Sequence, residues 1–205
     1  NTTANHNSAL GYWALKNNTT GASNTGLGSN AARLITTGNY NTAAGAYALS
    51  NATTPSNNTA FGYNALAETT SGAGNTAVGT DALKAHTTGD ANTAVGLGAL
   101  DANTTGEQNV AMGNYALSAN TTANFNVGIG NNSLDANTTG TSNTAVGKDS
   151  LGANTTGNDN NAFGQGALAA NTTGASNVAM GHDTLMANTT ASNNTAFGNF
   201  AMKAN

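Results

Sequence analysis

The residues of this chain that could do chemistry are few, and their spacing keeps them apart. Its 205 residues hold three histidines, nine Asp and Glu, five Lys and Arg, and no cysteine. His6, His86 and His182 fall at three different positions of the repeat described below, many units from one another. Asp81, Asp149 and Asp183 share one repeat position, but two or more units separate them, too far for a paired carboxylate site. Without cysteine there is neither a disulfide nor a thiolate metal site. The G-G-x-G-x-D pattern of calcium-binding β-rolls is missing, as is a Gly-rich phosphate loop with its Lys. The chain therefore reads as a non-enzyme with no cofactor and no metal. One pattern that carries chemistry does recur: Asn103, Asn120, Asn137, Asn154, Asn171 and Asn188 each open an N-T-T glycosylation sequon. In a chain with 36 Asn and 34 Thr such matches arise cheaply.

Whatever positions these residues must be built from a repeat. Asn followed four residues later by Gly occurs in units beginning at Asn7, Asn24, Asn41, Asn58, Asn75, Asn92, Asn109, Asn126, Asn143, Asn160, Asn177 and Asn194, twelve times at a spacing of 17 with no insertion. Residues 1–6 are the tail of a preceding unit, so 1–205 reads as a single repeat array. The unit is N-T-A-[VFMLI]-G-x-x-A-L-x-A-N-T-T-G-x-x. Seventeen residues are too few for a helix–turn–helix repeat, and Asn, Thr and Gly are poor helix formers. The expected fold is all-β, a parallel β-solenoid of twelve 17-residue coils. Strands are expected near positions 1 to 4 and 8 to 14, with turns at 5 to 7 and 15 to 17. The invariant Gly at position 5 predicts a positive φ or a close backbone approach. At roughly 4.8 Å per coil the array predicts a rod about 55 to 60 Å long.

Stacking converts each position into a ladder. Leu15, Leu49, Leu66, Leu83, Leu100, Leu117, Leu134, Leu151, Leu168 and Leu185 form one apolar ladder at position 9, broken by Ala32, and predict a buried core. Position 4 forms a second, with Leu27, Phe61, Val78, Val95, Met112, Ile129, Val146, Phe163, Met180 and Phe197. Position 3 holds only Ala or Gly, including Ala43, Ala60, Ala77, Ala94, Ala111, Ala145, Ala162 and Ala179. Adjacent strand residues point to opposite faces. If position 4 faces the core, the small column faces out, and its strict smallness predicts that a second chain covers it.

The Thr at position 13, from Thr2 and Thr19 to Thr189, and the Asn columns predict stacked hydrogen-bond ladders. A Thr file on a flat face could instead bind ice. Tyr12, Trp13, Tyr40, Tyr47, Tyr63, Tyr115, Phe125 and Phe200 fall at variable turn positions. There they could contact a sugar or a protein surface, or pack over a neighbouring coil. Five dispersed Lys and Arg against a net charge of −4 give no basic footprint for nucleic acid. No apolar run approaches the roughly 18 to 20 residues of a membrane span.

The N-T-A-V-G, N-V-A-M-G and N-V-G-I-G elements resemble the SVAIG-type repeat in the heads of YadA-like trimeric autotransporter adhesins. The longer N-T-A-x-G-x-x-A-L-x-x-N-T-T-G string is similar to repeats that precede endosialidase-type chaperone domains in phage tail fibres. The resemblance spans essentially the whole chain through a short motif. It implies a left-handed β-roll, three chains around an axis, an address on a cell surface or a virion fibre, and a role in adhesion to a host protein or glycan. The 17-residue period and the heavy Thr and Asn load depart from the adhesin head. The expected protein is thus a homotrimeric, non-enzymatic extracellular fibre segment, and the competing expectation is a β-solenoid that binds ice or glycan.

Overall fold

A computed structural model describes residues 4–204; Asn1 to Thr3, with the ladder place assigned to Thr2, and Asn205 lie outside the described residues. The described residues form an all-β parallel solenoid. Twelve three-residue strands, from β1 (Ser8–Leu10) and β2 (Thr25–Leu27) through β6 (Thr93–Val95), β7 (Val110–Met112) and β8 (Val127–Ile129) to β12 (Thr195–Phe197), lie in one sheet in chain order. Every pairing is parallel and matches like with like, as in Ala77↔Ala94 and Val78↔Val95. A 17-residue repeat enforces that register, because a slip of one residue would set each Ala beside a large side chain.

The coil beginning at Asn143 shows how the rest of the unit closes. After β9 (Thr144–Val146), Gly147 turns the chain at φ 134°. Three i→i+3 turns follow: Ser150 N–H donates to Gly147 O at 3.3 Å, Gly152 to Asp149 O at 3.3 Å, and Asn154 to Leu151 O at 3.1 Å. Asp149 and Leu151, each third in its turn, have φ of 56° and 51°, the sign that a type II turn requires there. The strand expected over positions 8 to 14 is therefore absent, and positions 5 to 11 are a run of turns. Backbone bonds join this segment to both neighbouring coils, for example Leu151 N–H to Ala167 O at 3.0 Å and Asp149 N–H to Asn131 O at 3.0 Å.

Putting leucine in the left-handed region is unusual. The ten ladder leucines have φ between 49° and 54°, a conformation costing an L-residue about 1–2 kcal/mol. All but Leu15, which is partly buried, are fully buried, which returns about 1.5–3 kcal/mol each. Burial wins, so the ladder holds its strain. Gly at position 5 meets both expectations at once. Gly113, for instance, has φ 141°, and a Cβ added there would lie 2.4 Å from Gly130 O of the next coil.

The core is narrower than the sequence suggested. Inside a typical coil lie the position 9 leucine, the small residues of positions 3 and 8, the position 1 Asn amide and, from Asn103 to Asn188, a second Asn amide at position 12. Where the leucine is replaced by Ala32, position 12 of the same coil is Ile35, and both are fully buried. The larger aliphatic restores the volume that Ala32 gives up.

Candidate functional site: the outward face of the sheet

The strand faces are the reverse of the expected arrangement. Ala43, Ala60, Ala77, Ala94, Ala111, Ala145, Ala162 and Ala179 are completely buried within this one chain, so they point inward and meet no second chain. Sterics explain their smallness. At the two glycines of this column, a Cβ would lie 3.2 Å from Leu15 Cγ at Gly26 and 3.3 Å from Leu117 Cγ at Gly128. The core leucine of the preceding coil presses against this position and leaves room for a methyl group at most.

The alternation of side chains then sends positions 2 and 4 outward together. Position 4 is apolar yet exposed: Leu27 40%, Phe61 47%, Met112 43%, Ile129 37%, Phe163 37% and Met180 40%. Beside it at position 2 run Thr25, Thr42, Thr59, Thr76, Thr93, Val110, Val127, Thr144 and Val178, all half-buried. At about 4.8 Å per strand and about 10 Å of width, twelve strands present roughly 500 Å². The apolar part of it, position 4 with Val110, Val127 and Val178, falls within the size of the largest apolar patch an isolated soluble chain ordinarily shows, a patch that is often functional. The apolar side chains of the strand, other than the small inward column, thus lie on one strip.

The Asn and Thr columns serve the coil itself. Asn143 takes Asn126 Oδ1 twice, from its backbone N–H at 3.0 Å and its Nδ2 at 3.2 Å, and donates Nδ2 to Gly157 O at 2.8 Å. Asn154, on the other side of the same corner, donates Nδ2 to Gly157 O at 3.0 Å and to Asn137 Oδ1 at 2.9 Å. One carbonyl thereby accepts from both amides, and each amide binds the coil before it. The sequon residues Asn103, Asn120, Asn137, Asn154 and Asn171 are fully buried and Asn188 is 2% exposed. Their Nδ2 atoms face the interior, so these six sequons offer no acceptor for a glycan in the folded chain. Thr155 Oγ1 donates to Thr172 O at 3.1 Å, and the same bond repeats along position 13. Position 14, from Thr20 to Thr190 with Ser71 among them, is the exposed Thr file.

The turn aromatics gather along the corner at positions 6 and 7. Tyr12 stacks on Trp13 with ring centroids 4.5 Å apart, Lys16 Nζ lies 4.0 Å from the Trp13 ring centre, and Tyr47 meets Tyr63 edge-on at 6.2 Å. Tyr115 lies over Gly98 of the preceding coil, where an added Cβ would be 2.8 Å from its ring. At the far end Phe200 meets His182 edge-on at 5.1 Å, with Lys203 Nζ 4.5 Å from its centre. All six candidate aromatics remain 41% to 64% exposed while packing on neighbours. Tyr40 and Phe125 stand on the other corner, also exposed.

No cavity opens among the described residues, and no three His, Cys, Asp or Glu side chains come together there. Burial lifts Asp101 above the usual carboxylate range, with backbone N–H groups opposing it, Asp81 adding to the rise and Lys84 opposing it. Burial likewise raises Asp135. His86 is pushed below the ordinary histidine range by burial, against the pull of Gly89 O and Asp90. Among the described residues no helix is long and apolar enough to cross a membrane.

The fold and its outward strip define a parallel β-solenoid whose side-chain ladders face both inward and outward. No family model, no curated protein and no solved structure matches the chain.

Proposed function

We propose that this chain is a rigid, non-enzymatic segment of an extracellular fibre that assembles as a homotrimer through the outward strip of positions 2 and 4. The observation that carries the reading is the run of exposed or half-buried apolar side chains at position 4, thinned at Ala44, along a sheet face twelve strands long. A strip of that kind on a lone chain in water is a liability, and burial against copies of itself removes it. In-register repeats suit self-association, because each strip offers the same side chains at the same rise. The number three rests on the resemblance to the trimeric adhesin heads and tail-fibre repeats. Size-exclusion chromatography with light scattering tests the reading: a mass three times that of the chain is expected, and a stable monomer overturns it.

A second reading concerns what the fibre presents outward. The corner with Tyr12, Trp13, Tyr47, Tyr63, Tyr115 and Phe200 offers exposed rings beside Asn and Lys side chains. That pairing of aromatic faces with polar neighbours favours a host glycan or protein surface over ice. Glycan-array binding that is lost on Tyr47→Ala with Tyr63→Ala supports it. Thermal hysteresis in a freezing assay would return the ice reading, carried by the position 14 Thr file.

A further inference from the structure

The inner Asn column at position 12 does not run the length of the rod. From Asn103 to Asn188 it is continuous and polarised: Asn120 Nδ2 donates to Asn103 Oδ1 at 3.1 Å, Asn137 to Asn120 at 3.1 Å, and so on to Asn188. On the other side the same position is occupied by Asn18, Ile35, Ala52 and Thr69. Thr69 Oγ1 is buried and has no hydrogen-bond partner. His86 stands at the junction and is fully buried.

The contacts of His86 fix its tautomer. Nε2 lies 2.7 Å from Gly89 O, which can only accept, so Nε2 carries the hydrogen. Nδ1 is then the acceptor for Asn103 Nδ2 at 3.3 Å. A polarised amide ladder must end on an acceptor, and Nδ1 of His86 supplies it. The ring is tightly held, since an added Cβ on Gly72 of the preceding coil would be 2.7 Å from Nε2 and one on Gly89 would be 2.9 Å from Cε1.

We propose that His86 is an acid-sensitive joint, at which protonation of Nδ1 breaks the end of the amide ladder and opens the adjoining coils. The added N–H would face the Asn103 Nδ2 donor, with a charge in a buried site. Asn103 cannot escape by turning over. Its Oδ1 would then face Gly106 O, now bonded to Nδ2 at 3.0 Å, and its Nδ2 would face the Asn120 donor. Relief would need every amide to Asn188 to turn, each at the expense of the bond to its corner carbonyl.

The surroundings supply little compensation. Thr69 and Gly72 on the preceding coil and Asn103 on the following one are uncharged, and Asp90 on its own coil is exposed. Asp90 favours the charged ring, but burial outweighs it. The folded value is thus depressed below an unfolded value of about 6.5. The stability due to neutral His86 is full above about pH 6.5 and is lost as pH falls toward the folded value. Within that window the opening constant of these coils rises about tenfold per pH unit. Because a solenoid coil touches only its neighbours, the opening is local.

Hydrogen exchange on the chain, corrected for intrinsic rates, tests this at about pH 7.5 and about pH 5. Protection of residues 69–106 should fall selectively on acidification. His86→Asn, which extends the ladder by one natural rung, should keep its protection at both pH values. Unchanged protection in the wild type, or the same acid response in His86→Asn, overturns the proposal. Nitrogen NMR of the ring gives an independent check: hydrogen on Nε2 at neutral pH supports it, and hydrogen on Nδ1 overturns it.

Discussion

Replacing Val95, Met112 and Ile129 together by Lys is the sharpest perturbation of the outward strip. These residues occupy position 4 of three consecutive strands, β6, β7 and β8, at the middle of the rod. Met112 is 43% exposed and Ile129 is 37% exposed, with Val95 less so, so at most roughly two-fifths of each side chain awaits a partner. At about 1.5–3 kcal/mol for complete burial of such a residue, that remainder is worth about 0.6–1.2 kcal/mol per side chain. Three positions in the three chains of the proposed trimer sum to at most about 5–11 kcal/mol, or about four to eight decades in the assembly constant. Repulsion among nine new charges on one axis adds to the loss. The coil interior is untouched, because all three side chains point away from it. Sedimentation velocity should therefore show monomers whose circular dichroism matches the wild type. An assembly of unchanged mass would refute the reasoning, since no interface on this face could bury nine Lys side chains.

Three further expectations follow from the interior. Ala94→Leu or Ala145→Leu should lower fold stability by about 1–3 kcal/mol each through overpacking against the core leucines, read as a fall in Tm; an unchanged Tm with lost assembly would return the small column to the surface. Asn126→Ala strands the backbone N–H of Asn143 and removes one of the two amide donors to Gly140 O; denaturant unfolding should show a loss of about 1–3 kcal/mol per orphaned group, and a neutral result would argue against the ladder. Asp101→Asn should raise Tm at pH 7, because the ionised carboxylate is disfavoured by burial. That gain should vanish as pH falls through the raised folded value of Asp101, where the wild type is itself protonated.

Much of this fold was legible because repetition acts as an internal comparison. The 17-residue period, the turn at Gly113 and its equivalents, the Leu100 and Leu117 ladder and the amide columns all come directly from the unit. The inside of the strand did not. Alternation in N-T-A-V-G says that Thr76 and Val78 share a face and that Ala77 has the other, but alternation alone gives no sign for inside and outside. The usual assumption that the larger apolar residue is buried put Val78 in the core. The geometry that decides against it is the close approach of Leu15 to Gly26 and of Leu117 to Gly128, a contact between coils that no local pattern encodes. Leu151 in a left-handed turn was likewise hidden, since leucine at φ 51° is atypical and only its neighbours make it affordable in energy. A usable hint was present in the pair Ala32 and Ile35, where one inward column thins and another thickens within the same coil.

The amide relay through Asn126, Asn143 and Asn160 is the same from one coil to the next, each Oδ1 accepting from the backbone N–H of the following Asn and each Nδ2 donating to its own corner carbonyl. Such a relay has a head and a tail but no preferred length. A gene encoding it can gain or lose whole 17-residue units by recombination between its own near-identical segments, and each product still closes every bond. Reach would then evolve in steps of about 4.8 Å, with the relay itself unchanged at any step.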